Sequence, residues 1–329
     1  MNQRINDAVL VNIRALQEGQ GNELMNRLHE GVGSARAKIE KIPGLDRRVI
    51  DSYSIANSAE LYPQIAIACL PLLGKPTVAR RAGEILTFGD VLDNFFDDPG
   101  ALPDYKTLFR YREDVNALAE ASGPVGELIN AMTGLVPEVN AEVMRRAIKK
   151  IVYGSLIQLS SNPERVKELA TEYQQFALSH LHDDLASQAQ SVNARTYWIT
   201  TKAPFELVDG AREEPFDYNR GEAASMIFAP SRYWYNIREE KQNGQDHVSS
   251  EFAPTSEDMA QMTLIGGKYA LSKANGGRKR LATQWGLLLK AIEDRLPRQE
   301  RRALEELIEL ANARPTLQGL GDLPSDILK

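Results

Sequence analysis

Gly89-Asp90-Val91-Leu92-Asp93-Asn94-Phe95-Phe96-Asp97-Asp98, closed by Pro99-Gly100, is the stretch on which the fold of this chain turns. It ends a long apolar segment that opens at Pro76-Thr77. Residues three and four apart share a helix face, so Asp90, Asp93, Asn94 and Asp97 stack on one side of a helix end. Carboxylates on one stripe repel each other, and the helix dipole disfavours them at a C-terminus. Something positive must compensate. A hard divalent cation such as Mg²⁺, which prefers oxygen ligands, fits that need. The plainer alternative is a solvated acidic helix end before a proline stop.

Working outward, most other segments also read as helices. Val9, Ile13 and Leu16, then Leu24 and Leu28 after a glycine break, give helical spacing from about Ile5 to Glu30. Ala59 to Leu73 is apolar on several faces, as in a core helix. Pro103-Asp104, Pro124 and Pro137 open further helices. Asn162-Pro163-Glu164 combines an Asn cap with proline at the first helical position, and its helix is expected to reach about Gln188. Further helices are expected over Ala223 to Glu240, Ser256 to Lys273, Arg278 to Leu296 and Arg298 to Ala313. Strand alternation and hairpin signals are missing. The chain therefore reads as one all-α domain of roughly ten helices over residues 1–314, with an irregular Gly- and Pro-rich tail over 315–329.

Composition narrows the functional class. At 329 residues and 43% hydrophobic content the chain can bury a sizeable core. A net charge of −6, with no basic run interleaved with aromatics, argues against a nucleic-acid binder. The single cysteine, Cys69, excludes a disulfide framework and a cysteine-rich zinc site. No apolar run reaches membrane-spanning length, and Met1-Asn2-Gln3-Arg4 does not open a signal-peptide core. A soluble cytoplasmic protein is expected. His180-Leu181-His182-Asp183-Asp184 has metal-ligand residue types, but only His180 and Asp184 share a face, and a solvated helix is the better reading.

A second constellation follows about 140 residues after the first: Arg232-Tyr233-Trp234-Tyr235-Asn236-Ile237-Arg238-Glu239-Glu240, with Gly244 and Asp246 beyond it. Arg232, Asn236 and Glu240 recur at the four-residue spacing that lines one helix face. An exposed face with i,i+4 pairs explains Arg238 and Glu239 well, and Asn236, flanked by aromatics, less well.

Together the two constellations resemble the class I terpene synthases. Members of that family are all-helical. They carry an aspartate-rich motif at one helix end and, about as far along as here, an Asn/Ser-or-Thr/Glu metal motif. Gly89-Asp90-Val91-Leu92-Asp93 stands where the first motif belongs, with glycine in place of its first aspartate. Arg232, Asn236 and Glu240 stand at the three ligand positions of the second, arginine replacing asparagine and asparagine replacing serine or threonine. Ala59-Glu60-Leu61-Tyr62-Pro63 is similar to the stretch that precedes the aspartate helix, and Asn193 to Gly210 is similar to the diphosphate-sensing region.

The resemblance implies an isoprenoid synthase fold and a terpene synthase-like lyase that ionises and cyclises a prenyl diphosphate, or eliminates from it, with Mg²⁺. It implies metal binding by Asp90, Asp93, Asp97, Asn236 and Glu240. Arg232 cannot bind a metal, but its guanidinium suits a diphosphate. Phe88, Tyr197, Trp198, Tyr233 and Trp285 would shape the substrate pocket, and Arg195 and Lys202 are the cations nearest the sensor position. The expected partner is the prenyl diphosphate, with no nucleic acid and no membrane span, and a homodimer is the oligomer to test. The alternatives are a non-catalytic binding or assembly protein on the same scaffold, and an enzyme of this fold with a non-prenyl substrate.

Overall fold

The computed structural model describes residues 20–50, 76–97, 123–179 and 203–216, together with positions 112, 114, 117, 120, 195, 225, 255, 258, 298 and 302. Among these the structure is helical, and no residue lies in a strand. The all-α expectation holds at that level. Helix α1 spans Gln20–Ile39, α2 Arg47–Ile50, α3 Pro76–Asp97, α4 Pro124–Thr133, α5 Ala141–Leu159 and α6 Pro163–Leu178. A 3₁₀ turn, Glu138–Asn140, leads into α5, and residues 203–210 are also helical. Among the described residues no helix is long and apolar enough to cross a membrane.

Helix α3 is the centre of the packing. It touches α1, α2, α4 and α5, and every residue from Ala82 to Gly89 is buried. A helix apolar on one stripe lies on a surface; one buried all round lies inside. Ile85, Leu86, Phe88, Val91, Leu92 and Phe96 are at most 2% exposed, and each such side chain contributes about 1.5–3 kcal/mol through its burial. Helix α4 adds Leu128, Ile129 and Met132 to the same core, and α5 adds Met144, Ala147, Ile148, Val152 and Leu156.

The α1–α3 crossing is unusually close, and two glycines permit it. A Cβ added to Gly31 would lie 2.0 Å from the Arg80 carbonyl oxygen, and one added to Gly83 would lie 2.3 Å from the Leu28 carbonyl oxygen. The two backbones therefore touch. Beside the crossing, the buried Glu84 carboxylate accepts hydrogen bonds from Ser34 Oγ at 2.5 Å and Lys38 Nζ at 3.0 Å. This corrects the expected end of the first helix. The helix does not stop at Glu30 but runs through Gly31 and Gly33 to Ile39.

The expected helix starts at Pro76, Pro124 and Pro163 are present. Asn162 caps α6 as its sequence predicts: Oδ1 accepts from the Glu164 and Arg165 amides at 3.0 and 3.4 Å. That helix ends at Leu178, short of the expected Gln188, and Ser179 closes it by donating its hydroxyl to the Phe176 carbonyl at 2.7 Å. Pro137 opens only the 3₁₀ turn, and α5 begins at Ala141. At the expected Ser256 start, Thr255 Oγ1 accepts from the Asp258 amide at 3.1 Å while the Asp258 carboxylate accepts from the Thr255 amide at 2.9 Å. This is a reciprocal capping box. The expected helices over Ala59 to Leu73, from Pro103-Asp104, and over Ala223 to Glu240 and Arg278 to Leu296 fall almost wholly outside the described residues.

Candidate functional site

Helix α3 carries the acidic stripe into its last turns. Asp90 is partly buried, Asp93 is exposed and Asn94 is partly buried, while Val91, Leu92, Phe95 and Phe96 between them face the core. The 3.6-residue period separates the two sets. The polar side chains emerge along one edge of the last turns, while the stretch from Ala82 to Gly89 before them is enclosed by protein. None of the three is free of interactions with neighbouring groups. Asp97 is the last residue of the helix.

Gly89 occupies the position just before this stripe, and its surroundings do not suit a charged side chain. A Cβ built there would lie 3.2 Å from Leu207 Cδ1 and 3.9 Å from Met132 Cε. The position faces apolar side chains, and a carboxylate there would be desolvated without a partner. The acidic stripe thus begins at Asp90.

Leu207 belongs to a stretch whose charges were not foreseen from sequence. Along residues 203–212, Phe205, Glu206, Leu207, Val208, Asp209 and Arg212 are all buried. Glu206 accepts a hydrogen bond at 2.5 Å from Lys150 of α5, and the two side chains are 0% and 3% exposed. Asp209, also fully buried, lies 3.7 Å from Arg212 Nε, and Arg212 reaches Glu214 at 2.6 Å. Arg146 of α5, 7% exposed, lies over the Phe216 ring at 5.5 Å. Buried charges are costly unless paired; α5 supplies the partner of Glu206, and Asp209 and Arg212 pair within the stretch itself. One signal was available: Val143, Ala147 and Lys150 fall on the same apolar face of α5, where a lysine needs a partner.

Asn140 fastens the exit of this stretch. Preceding α5, it could have capped that helix with its side-chain oxygen, but it makes no such bond. Its Nδ2 instead donates to the carbonyls of Arg212 at 2.7 Å and Glu214 at 2.9 Å. The cap is given up to satisfy carbonyls of the turn that leaves the 203–210 helix. Its Oδ1 is left buried without a hydrogen bond.

A further cluster lies between α5 and α6. Tyr153 packs against Tyr173 and Phe176, with ring centroids 5.7 Å apart in both pairs. Lys149 Nζ lies 5.0 Å from the Phe176 ring centroid. Burial pushes the Tyr153 phenol above its ordinary value of 10.0; Arg112 pulls it down and Glu172 pushes it further up. Arg112 and Glu172 pair at 2.5 Å.

The sequence-predicted residues are distributed as follows. Phe88 is fully buried in the α3 core, with no exposed surface. Arg195 is partly buried in helical conformation. Arg232, Tyr233, Asn236, Glu240, Tyr197, Trp198, Lys202 and Trp285 lie outside the described residues, as do His180, His182 and Asp184. Among the described residues no group of three or more His, Cys, Asp or Glu side chains converges as a metal site. What α3 itself supplies is two oxygen donors, Asp90 and Asp93, one turn apart. Mg²⁺ is commonly held by one or two carboxylates, with waters and substrate phosphates completing the shell, so this donor set suits it. No protein-family model matches the chain, and neither the curated proteins nor the solved structures contain a match to it.

Proposed function

We propose that the protein is a terpene synthase-like enzyme of the isoprenoid synthase fold that acts on a prenyl diphosphate with Mg²⁺. The observation that carries this reading is the disposition of α3: a helix whose middle is enclosed by apolar neighbours and whose last turns present Asp90 and Asp93 along one edge. Asp90 and Asp93 would hold the ion, with Asp97 in support. The bound ion would neutralise charge on the diphosphate as its bond to the prenyl carbon breaks. From the second constellation, Asn236 and Glu240 would hold a further ion or orient the diphosphate. Arg232 would pair with the diphosphate directly, a charge-assisted contact of about 1.5–3 kcal/mol. Apolar and aromatic walls would surround the cationic chain, where cation–π attraction favours it.

Calorimetry with inorganic pyrophosphate across a Mg²⁺ series tests the reading. Wild type should bind pyrophosphate in a Mg²⁺-dependent manner. Asp90→Asn and Asp93→Asn should each raise the Mg²⁺ requirement, and Arg232→Ala should weaken binding at every Mg²⁺ concentration. If wild type and the two aspartate variants give the same isotherms, α3 ends in a solvated acidic turn and the proposal is wrong.

A further inference from the structure

We infer that Leu207 is a positioning residue for the acidic turn of α3, seated there by the buried Lys150–Glu206 pair. The inference rests on the reading above, in which Asp90 and Asp93 hold the ion. It is carried by the contact at Gly89. Leu207 Cδ1 sits so close to α3 that even a methyl group on residue 89 would be crowded, at 3.2 Å. Gly89 adjoins Asp90 in the chain and lies one helical turn before Asp93, so the Leu207 side chain abuts the backbone that sets both carboxylates.

Leu207 is in turn held by its neighbours in sequence. Glu206 is bound to Lys150, both essentially without exposed surface. Asp209 is buried beside Arg212, and the Arg212 and Glu214 carbonyls are fastened to Asn140. An ion pair in a low-dielectric interior tolerates little displacement, because moving either partner leaves a buried charge uncompensated. The 203–212 stretch therefore has one register against α5, and Leu207 carries that register to α3. Interiors are packed densely enough to transmit such a constraint. A glycine at 89 makes the contact: any larger residue would hold Leu207 off the backbone.

The test is a double-mutant cycle read by Mg²⁺ dependence. The full chain is titrated with inorganic pyrophosphate across a Mg²⁺ series, as wild type, Leu207→Ala, Gly89→Ala and the combination of the two. Leu207→Ala should raise the Mg²⁺ concentration for half-maximal binding by about tenfold, the low end of what supporting residues contribute to metal affinity. Gly89→Ala should also raise it, by pushing Leu207 away. The double variant, whose new methyl group occupies part of the vacated space, should lie closer to wild type than either single variant.

Ile129→Val, a deletion in the α4 part of the core, should lower stability without moving the Mg²⁺ midpoint, which separates positioning from general loosening. If Leu207→Ala does not fold, Leu207→Met, which keeps volume but removes the branched methyl from Gly89, takes its place. Mg²⁺ dependence unchanged in these variants, with wild type binding normally, overturns the positioning role alone. If wild type binds no pyrophosphate at any Mg²⁺ concentration, the proposed function fails and this inference fails with it.

Discussion

Replacing a helical glycine by alanine ordinarily stabilises a protein, and in this chain the α1–α3 crossing should reverse the sign. Intrinsic propensity favours alanine over glycine in a helix interior by about 0.8–1.0 kcal/mol. At Gly31, however, the new Cβ would lie 2.0 Å from the Arg80 carbonyl oxygen, and at Gly83 2.3 Å from that of Leu28. The opposing atoms are backbone, so no side chain can rotate away. Ordinary contact needs about 3.4 Å, so the helices must part by about 1.4 Å at Gly31 and about 1.1 Å at Gly83. A gap of about 1 Å already forfeits about half of each dispersion contact along the crossing, and these gaps are larger. It also loosens the Ser34 and Lys38 hydrogen bonds to Glu84. Overpacking costs about 1–3 kcal/mol, and a backbone clash belongs at the upper end. After the propensity gain is subtracted, Gly31→Ala and Gly83→Ala should each destabilise by about 1–2 kcal/mol. Gly33 lies on the same helix as Gly31 but meets nothing within 4 Å, and Gly154 of α5 is equally open. Gly33→Ala and Gly154→Ala should therefore stabilise by about 0.8–1.0 kcal/mol. Urea denaturation of the four variants, read as midpoint shifts at constant slope, provides the comparison. If Gly31→Ala and Gly83→Ala stabilise as much as the two controls, the close crossing is not real.

Lys150→Met leaves Glu206 buried and unpaired and should cost about 3–5 kcal/mol in denaturant unfolding, whereas Lys150→Met combined with Glu206→Leu should recover most of that loss. Asn162→Ala removes the cap of α6 and should cost about 1 kcal/mol by the same measurement, with Asn162→Asp close to wild type. Tyr153 should ionise above the ordinary value of 10.0 in an ultraviolet phenolate titration, and Tyr153→Phe should remove that component. Because the folded state keeps this proton longer than the unfolded chain, the stabilisation is fully present below pH 10 and is lost as pH rises through the folded value; a wild type that loses no more stability than Tyr153→Phe over that range would contradict the assignment.

What the sequence made legible was local. The Asn162-Pro163-Glu164 start needs only its own three residues, and the structure shows the cap they imply. The polar edge of α3 follows from spacing alone, and Asp90 and Asp93 do reach toward solvent there. What could not be read depends on partners distant in the chain. Gly31 and Gly33 look like helix breakers, yet α1 continues through them; at Gly31 the space that a side chain would fill is occupied by the backbone of α3, about fifty residues away. Lys150 signals a need for a partner but not which of many carboxylates provides it; Glu206 lies 56 residues further on. Asn140 has the composition of a helix cap and spends its amide on carbonyls 72 and 74 residues away. Gly89 looks in sequence like a simple lead-in to the acidic stripe, and only the positions of Leu207 and Met132 show that a side chain there would be crowded.

Incubation of the purified chain with prenyl diphosphates of graded length, with and without Mg²⁺, tests the central claim most directly. Released inorganic pyrophosphate and the organic products are measured together. The account predicts Mg²⁺-dependent release of pyrophosphate with at least one chain length, matched by a hydrocarbon or alcohol product, and loss of both in the Asp90→Asn and Asp93→Asn variants. No release from any member of the series, in a folded protein with saturating Mg²⁺, would contradict it.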